Sequence, residues 1–173
     1  IVEADKIILA TGSRSVMPRL FPKSPRIVES RAFLDQDRLP ASLLIVGGGI
    51  IGSEFACLAA RCGVSVTLVE MLPDILAILD ADVRREIRRS MEKRLGIRIL
   101  CGAPIEEVRV EENQVRSRIG EQWIESEQVL VAVGRTPVTD SLELERIGLT
   151  LLPSGHLETD QFLRTRIPWI YAI

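Results

Sequence analysis

Residues 42–70 read Ser-Leu-Leu-Ile-Val-Gly-Gly-Gly-Ile-Ile-Gly-Ser-Glu-Phe-Ala-Cys-Leu-Ala-Ala-Arg-Cys-Gly-Val-Ser-Val-Thr-Leu-Val-Glu. Ser42–Val46 is a short apolar run of the kind a strand buried on both faces needs. A glycine-rich turn follows, then a segment from about Ile50 to Arg61 that predicts a helix, with Gly63 placed to stop it. Val64–Val69 reads as a second strand. Strand, turn, helix and strand within 29 residues is a βαβ unit, and its strands are parallel.

The turn carries G-x-G-x-x-G at Gly47, Gly49 and Gly52, with Gly48 between the first two. Alone the pattern is weak. It gains weight from its context: it follows a strand, opens a helix, and lies 23 residues before an acid, Glu70, at the end of the next strand. Gly47 permits the tight turn, Gly49 lets a pyrophosphate approach the backbone, and Gly52 lets the helix pack closely on the strands. The helix N-terminus offers free N–H groups and roughly half a positive charge to phosphates. Glu70 is positioned to accept hydrogen bonds from ribose hydroxyls and to repel a 2′-phosphate. Two unit charges about 4 Å apart interact by on the order of 4 kcal/mol at an effective dielectric near 20. The next arginine along the chain is Arg84, and Met71, Leu72 and Pro73 offer no cation. The expected ligand is NAD rather than NADP.

Outward from this unit, residues 6–10 read as a short strand, and residues 13–40, with Pro18, Pro22, Pro25 and Pro40, as a connector. Val83, Ile87, Met91 and Leu95 predict a helix over about Asp82–Leu95, capped by Asp80 or Asp82 and stopped by Gly96. Ile97–Leu100 is a third strand. Between Pro104 and Val133, Ile105, Val108, Val110, Val115, Ile119, Trp123 and Ile124 alternate with charged residues, which predicts an antiparallel meander. A short helix near Leu142–Ile147 and a strand at Ile170–Ile173 complete the expectation. The two terminal strands are apolar and are expected to order together, within one chain or exchanged between two.

Composition limits the function classes. Hydrophobic residues make up 46% and charged residues 27%, and the net charge is −2, which gives no basis for nucleic-acid or anionic-membrane binding. Three cysteines do not suggest a disulfide scaffold, so a cytoplasmic setting is expected. The opening Ile1-Val2-Glu3-Ala4-Asp5 lacks both an initiator methionine and the basic segment of a signal peptide. The expectation is a fragment of a longer protein.

The chain resembles the pyridine nucleotide–disulfide oxidoreductases, a family of FAD enzymes. The likeness covers nearly the whole chain. It rests on Ile8-Leu9-Ala10-Thr11-Gly12-Ser13, Gly47–Glu54, Val69-Glu70-Met71-Leu72-Pro73, Val131-Ala132-Val133-Gly134-Arg135-Thr136-Pro137 and Ile170-Tyr171-Ala172-Ile173. The implied fold is α/β: a Rossmann-like domain whose parallel sheet carries helices and a three-stranded antiparallel meander as crossover. The implied organisation is a stub of an FAD domain at 1–13, a connector at 14–40, the NAD domain at 41–150, and a return segment with a second FAD stub at 151–173.

The resemblance also implies roles for particular residues. Gly47, Gly48, Gly49, Ile50, Ile51, Gly52, Ser53 and Glu54 would hold NAD, with Ile50 beside the nicotinamide and Glu54 near nicotinamide and flavin, paired with a lysine outside this chain. Glu70 would take the ribose, Ile105 would pack on adenine, and Gly134 would line the nicotinamide end. Ala10, Thr11, Gly12 and Ser13 would touch FAD in the longer protein. Electrons would pass from dihydrolipoyl groups through a disulfide and FAD to NAD. A mercuric reductase-like or transhydrogenase-like member and a non-catalytic NAD-sensing module are the alternatives. A homodimer, and a place in a 2-oxo acid dehydrogenase complex, are implied for the longer protein. No catalytic residue and no metal ligand is expected in this chain.

Other eye-catching residues are expected to be structural. Cys57 and Cys62 have the spacing of a redox pair but lie on the helix, where five residues separate them by about 7.5 Å along the axis and about 140° around it, beyond disulfide reach. Cys101 ends a strand. His156 follows Pro153-Ser154-Gly155 and reads as a surface residue. Arg84, Arg85, Arg88, Arg89, Lys93 and Arg94, interleaved with Glu86 and Glu92, read as a solvated helix face.

Overall fold

The computed structural model describes residues 2–173. In chain order its elements are β1 (Ile7–Leu9), β2 (Ser13–Ser15), β3 (Ile27–Glu29), α1 (Ser30–Leu34), β4 (Ser42–Val46), α2 (Ile50–Arg61), β5 (Ser65–Glu70), α3 (Ala81–Leu95), β6 (Arg98–Cys101), β7 (Ile105–Val110), β8 (Val115–Ile119), β9 (Gln122–Ser126), β10 (Gln128–Val131), β11 (Arg135–Pro137), a 3-10 helix (Leu144–Ile147) and β12 (Ile170–Ala172). They form two compact units, Ser15–Gly134 and a second built from Ile1–Arg14 with Arg135–Ile173.

In the larger unit the strands run in the order β3-β10-β4-β5-β6, all parallel. A parallel sheet is covered on both faces, and the residues of β4 show how. Leu43 and Ile45 pack with Ala56 and Ala59 of α2 and Met91 of α3. Leu44 and Val46, one residue out of phase, pack with Val115, Ile119 and Ile124 of the meander. Strands β7, β8 and β9 are antiparallel, and they carry the chain from β6 at the sheet edge to β10 inside it. The α/β class, the Rossmann-like parallel sheet and the meander crossover are therefore as expected.

Helix α2 has the expected bounds. Its buried face is made of small residues, Gly52, Ser53, Ala56 and Ala59. Helix α3 ends on Gly96 in the left-handed conformation, whose N–H bonds the Met91 carbonyl. Asp80 stands at its N-cap without a side-chain hydrogen bond there, so the expected capping role is not realised. Of its apolar stripe, Met91 is buried, Ile87 and Leu95 are partly covered, and Val83 is exposed.

Two expected boundaries move. Residues 14–40 are more than a connector: β3 adds the outer strand beside β10, and α1 follows it, capped by Glu29, whose carboxylate accepts from the Arg31 and Ala32 amides. The larger unit also ends at Gly134 rather than at residue 150. Gly134, three residues past the end of β10, has φ +147, a conformation that suits glycine.

In the smaller unit β1 pairs β12 in parallel, Ile7 with Ile170 through Leu9 with Ala172. The terminal strands thus order together within one chain. Leu144, Leu149 and Ile170 form the core, with Leu9, Leu142, Leu157 and Ile167 against them. β2 and β11 form a two-stranded ribbon, and Arg135 Nε donates to Ser13 Oγ at 2.8 Å. Among the described residues no helix is long and apolar enough to cross a membrane.

Candidate functional site

The C-terminal ends of parallel strands are where open α/β sheets bind ligands. In the larger unit the ends of β4, β5 and β10 open on a cleft of about 830 Å³, the size of a small-molecule site. Its walls are Val46 to Ile51, Val69 to Leu72, Asp74, Leu76 to Ile78, Ala103 to Ile105, Ala132 to Gly134, and Pro18, Leu20 and Phe21.

The glycine turn forms one wall, and each glycine answers to a different neighbour. Gly47 N donates to the Val69 carbonyl at 2.8 Å, and at φ +105 a side chain would stand 2.5 Å from the Ala132 oxygen. A Cβ on Gly48 would lie 2.7 Å from Ile75 Cγ2. A Cβ on Gly52 would lie 1.9 Å from the Gly47 oxygen, so the first turn of α2 sits directly on the loop. Gly49 differs: a Cβ there meets nothing within 4 Å. No packing demands a glycine at 49, and the space above it is part of the cleft. The N–H groups of the first turn of α2 open beside it with no intrahelical partners.

Glu70 ties this wall to the next. Its Oε2 accepts from Gly48 N at 2.6 Å and its Oε1 from Leu72 N at 2.7 Å. The carboxylate therefore braces the turn and the loop after β5 together. Each oxygen keeps a second acceptor position for a ligand hydroxyl. Leu76 N donates to the Gly48 carbonyl at 2.7 Å and closes the same loop onto the turn.

Beyond Glu70 lies a polar network that sequence distance conceals. Asp74 lines the cleft. Its Oδ1 accepts from the Ile75 amide at 2.9 Å and from Arg88 at 3.1 Å, and its Oδ2 lies 3.8 Å from Arg84. Arg88 also bonds Glu92. Partial burial works against the Arg88 charge, but the hydrogen bonds to Glu92 and Asp74 outweigh it and raise its pKa. The reading that no arginine stands near this loop is corrected by the fold, because α3 folds back across residues 71–79.

The expected NAD residues divide into two sets. Gly47, Gly48, Gly49, Ile50, Ile51, Glu70, Ile105 and Gly134 all line the cleft. Gly52, Ser53 and Glu54 do not. Ser53 is buried, and its hydroxyl donates to the Gly48 carbonyl at 3.3 Å, supporting the turn from beneath. Glu54 is exposed on α2. Sequence reading missed Leu20 and Phe21, concealed in a proline-rich stretch, and Met71, Leu72 and Ile78, which give the cleft an exposed apolar rim. The run of apolar residues just after Glu70 was the available signal. Ala10, Thr11, Gly12 and Ser13 lie in the smaller unit. There the Gly12 carbonyl accepts from Val138 N at 3.0 Å, and Ser13 holds Arg135.

The cysteines and the histidine lie outside this site. Cys57, Cys62 and Cys101 are free thiols. Burial raises the pKa of Cys57, and of Cys101 beside Arg88, so both stay protonated near neutrality. His156 is exposed, with Nδ1 3.2 Å from Ser154 Oγ. The basic face of α3 is laced with ion pairs, Arg88 with Glu92 and Arg89 with Glu86.

Comparison with known proteins follows the same lines. The sequence profile of the pyridine nucleotide-disulphide oxidoreductase family matches residues 1–173. A dihydrolipoyl dehydrogenase of Chlamydia pneumoniae is 42% identical over 176 residues, and one of Chlorobaculum tepidum 39%. The aligned region takes in 100% and 98% of this chain and 37% of each relative, so the chain spans little more than a third of their length. Among solved structures, an HOCl-induced flavoprotein disulfide reductase of Escherichia coli superposes with a TM-score of 0.90 at 31% identity, over 99% of this chain and 40% of that one.

Proposed function

The chain belongs to the pyridine nucleotide-disulphide oxidoreductase family, and from that premise we propose that it is the NAD(H)-binding part of a flavin-dependent oxidoreductase of the dihydrolipoamide dehydrogenase kind. The observation that carries the reading is the open position above Gly49, beside the N-terminus of α2 and within one cleft with Glu70. A pyrophosphate fits where no side chain stands and where backbone N–H groups are unpaired. Glu70, held by two backbone amides, is pre-oriented for the ribose hydroxyls, and Ile105 offers an apolar wall to adenine. Gly134 and Ile50 would flank the nicotinamide, and Gly52 and Ser53 would act through the turn they support. When bound, NAD supplies a hydride acceptor, and this part of the protein positions it against a flavin.

In the longer protein, electrons from dihydrolipoyl groups would reach NAD through a disulfide and FAD, with Ala10, Thr11, Gly12 and Ser13 beside the flavin. A homodimer, membership of a 2-oxo acid dehydrogenase complex and a cytoplasmic setting belong to the same proposal. Identities of 42% and 39% to dihydrolipoyl dehydrogenases support this substrate class. A second reading, another NAD-linked flavoprotein disulfide reductase, is favoured by the 31% identity and close superposition of the E. coli reductase.

Calorimetric titration of the chain with NADH and NADPH tests the nucleotide assignment. NADH is expected to bind more tightly, and Gly49→Val is expected to abolish binding of both by filling the pyrophosphate position. Absence of binding by the native chain would sink the reading. The test of Glu70 should use Glu70→Gln rather than alanine, because alanine removes both backbone acceptors and loosens the turn itself. Equal NADH-to-NADPH ratios in the native chain and Glu70→Gln would remove Glu70 from cofactor discrimination.

A further inference from the structure

We infer that Asp74 is a second determinant of cofactor choice, acting by holding Arg84 and Arg88 away from the cleft. The inference rests on the nucleotide reading above and goes beyond it. Asp74 lines the cleft, while neither Arg84 nor Arg88 does. Both arginines turn toward the one carboxylate, at 3.8 Å and 3.1 Å. Arg88 is well satisfied, because Glu92 takes its Nε. Arg84 is not. Its Nε is buried without a hydrogen-bond partner, and its contact with Asp74 is longer than a hydrogen bond. Charge attraction to Asp74 aims this partly buried cation at the loop that follows Glu70.

A 2′-phosphate on the ribose bound by Glu70 would bring about two negative charges to this loop. In the native chain it would meet Glu70 and Asp74 on the cleft wall, while Arg84 and Arg88 are engaged by Asp74. Loss of the Asp74 charge removes one repulsion and leaves Arg84 without an anionic partner. An unpaired guanidinium with five donors is the side chain best suited to a phosphate. Selection against the 2′-phosphate would then come from two carboxylates, Glu70 by contact and Asp74 by sequestration.

The test is Asp74→Asn, which keeps an oxygen for the Ile75 amide while dropping the charge. Calorimetry with NADH and NADPH should show the ratio of NADH to NADPH affinity fall by at least about fivefold, since the upper end for an exposed ion pair is the floor for this partly buried one. In Asp74→Asn combined with Arg84→Gln and Arg88→Gln, the native ratio should largely return. An unchanged ratio in Asp74→Asn would overturn the inference while leaving the nucleotide reading intact. A fallen ratio that persists without the arginines would also overturn it, since the Asp74 charge alone would then be responsible. Failure of the native chain to bind either nucleotide would overturn both. Asp74→Ser, with a short acceptor beside Ile75, replaces Asp74→Asn if circular dichroism shows that variant unfolded.

Discussion

Ser-Leu-Leu-Ile-Val of β4 and Ile-Ile-Leu of β1 are both apolar strands in parallel pairing, yet their surroundings are opposite. In β4, Leu44 and Ile45 are fully buried, one against the meander and the other against the helices. In β1, Ile7 and Ile8 are 43% and 65% exposed, and only Leu9 reaches a core. The difference lies in neighbours rather than composition. β4 has a strand on each side and a layer on each face, whereas β1 has β12 alone. Apolar sequence shows that a strand wants to be covered, and the rest of the fold decides whether it is.

The comparison can be broken most directly at Leu44. Leu44→Ala should destabilise the larger unit by about 2–5 kcal/mol, since the site is enclosed on every side and collapses poorly. Urea denaturation followed by tryptophan fluorescence in a Trp169→Phe background, which leaves Trp123 of the meander as the reporter, would measure it. A loss below about 1 kcal/mol would mean that the two faces of the sheet are less tightly filled than their burial implies.

The glycines offer the next largest contrast. Gly52→Ala should cost about 3 kcal/mol, because its new methyl meets the Gly47 backbone oxygen and no rotamer relieves that. The same variant should weaken NADH binding by displacing the turn. Gly12→Ala in the smaller unit meets no atom within 4 Å, and only its φ of +75 resists the substitution. That strain is about 1 kcal/mol. Equal costs at the two positions would show that conformation, not close approach, governs both.

Much of this was readable from sequence, and the failures have physical causes. β4, α2 and β5 were legible because hydrophobic period, glycine turn and acid all agree over residues 42–70. β3 and α1 were not, because Pro18, Pro22, Pro25 and Pro40 advertise a loop, and because Glu29 caps α1 although its residue type is not a favoured cap. At the site, the turn and Glu70 were legible as a local motif. The Asp74–Arg88 contact was not, since 14 residues of sequence separate partners that the loop after β5 and helix α3 bring within 3.1 Å. Ser53 is a different case. Its place in the motif suggests ligand contact, and in the fold its buried hydroxyl supports the turn under Gly48, a role that the motif does not reveal.

The smallest effect, and the one that sharpens the comparison furthest, is expected at Ile8. With 65% of the side chain already in water, Ile8→Ala removes little buried surface, and the loss in this chain should stay within about 0.5 kcal/mol. The curated relatives are far longer than this chain, which aligns with 37% of the Chlamydia pneumoniae protein. If β1 and β12 belong to a flavin domain of a longer protein, further strands would cover Ile8 there. The same substitution made in that protein should then cost about 2–4 kcal/mol, the range for a buried isoleucine cut to alanine. Urea titration of both pairs of proteins measures the difference between the two costs. A cost that rises with chain length would place β1 inside a larger sheet. Equal small costs would mean that the β1–β12 pair is a surface ribbon in its own right, and the assignment of Ala10 to Ser13 to a flavin contact would lose its footing.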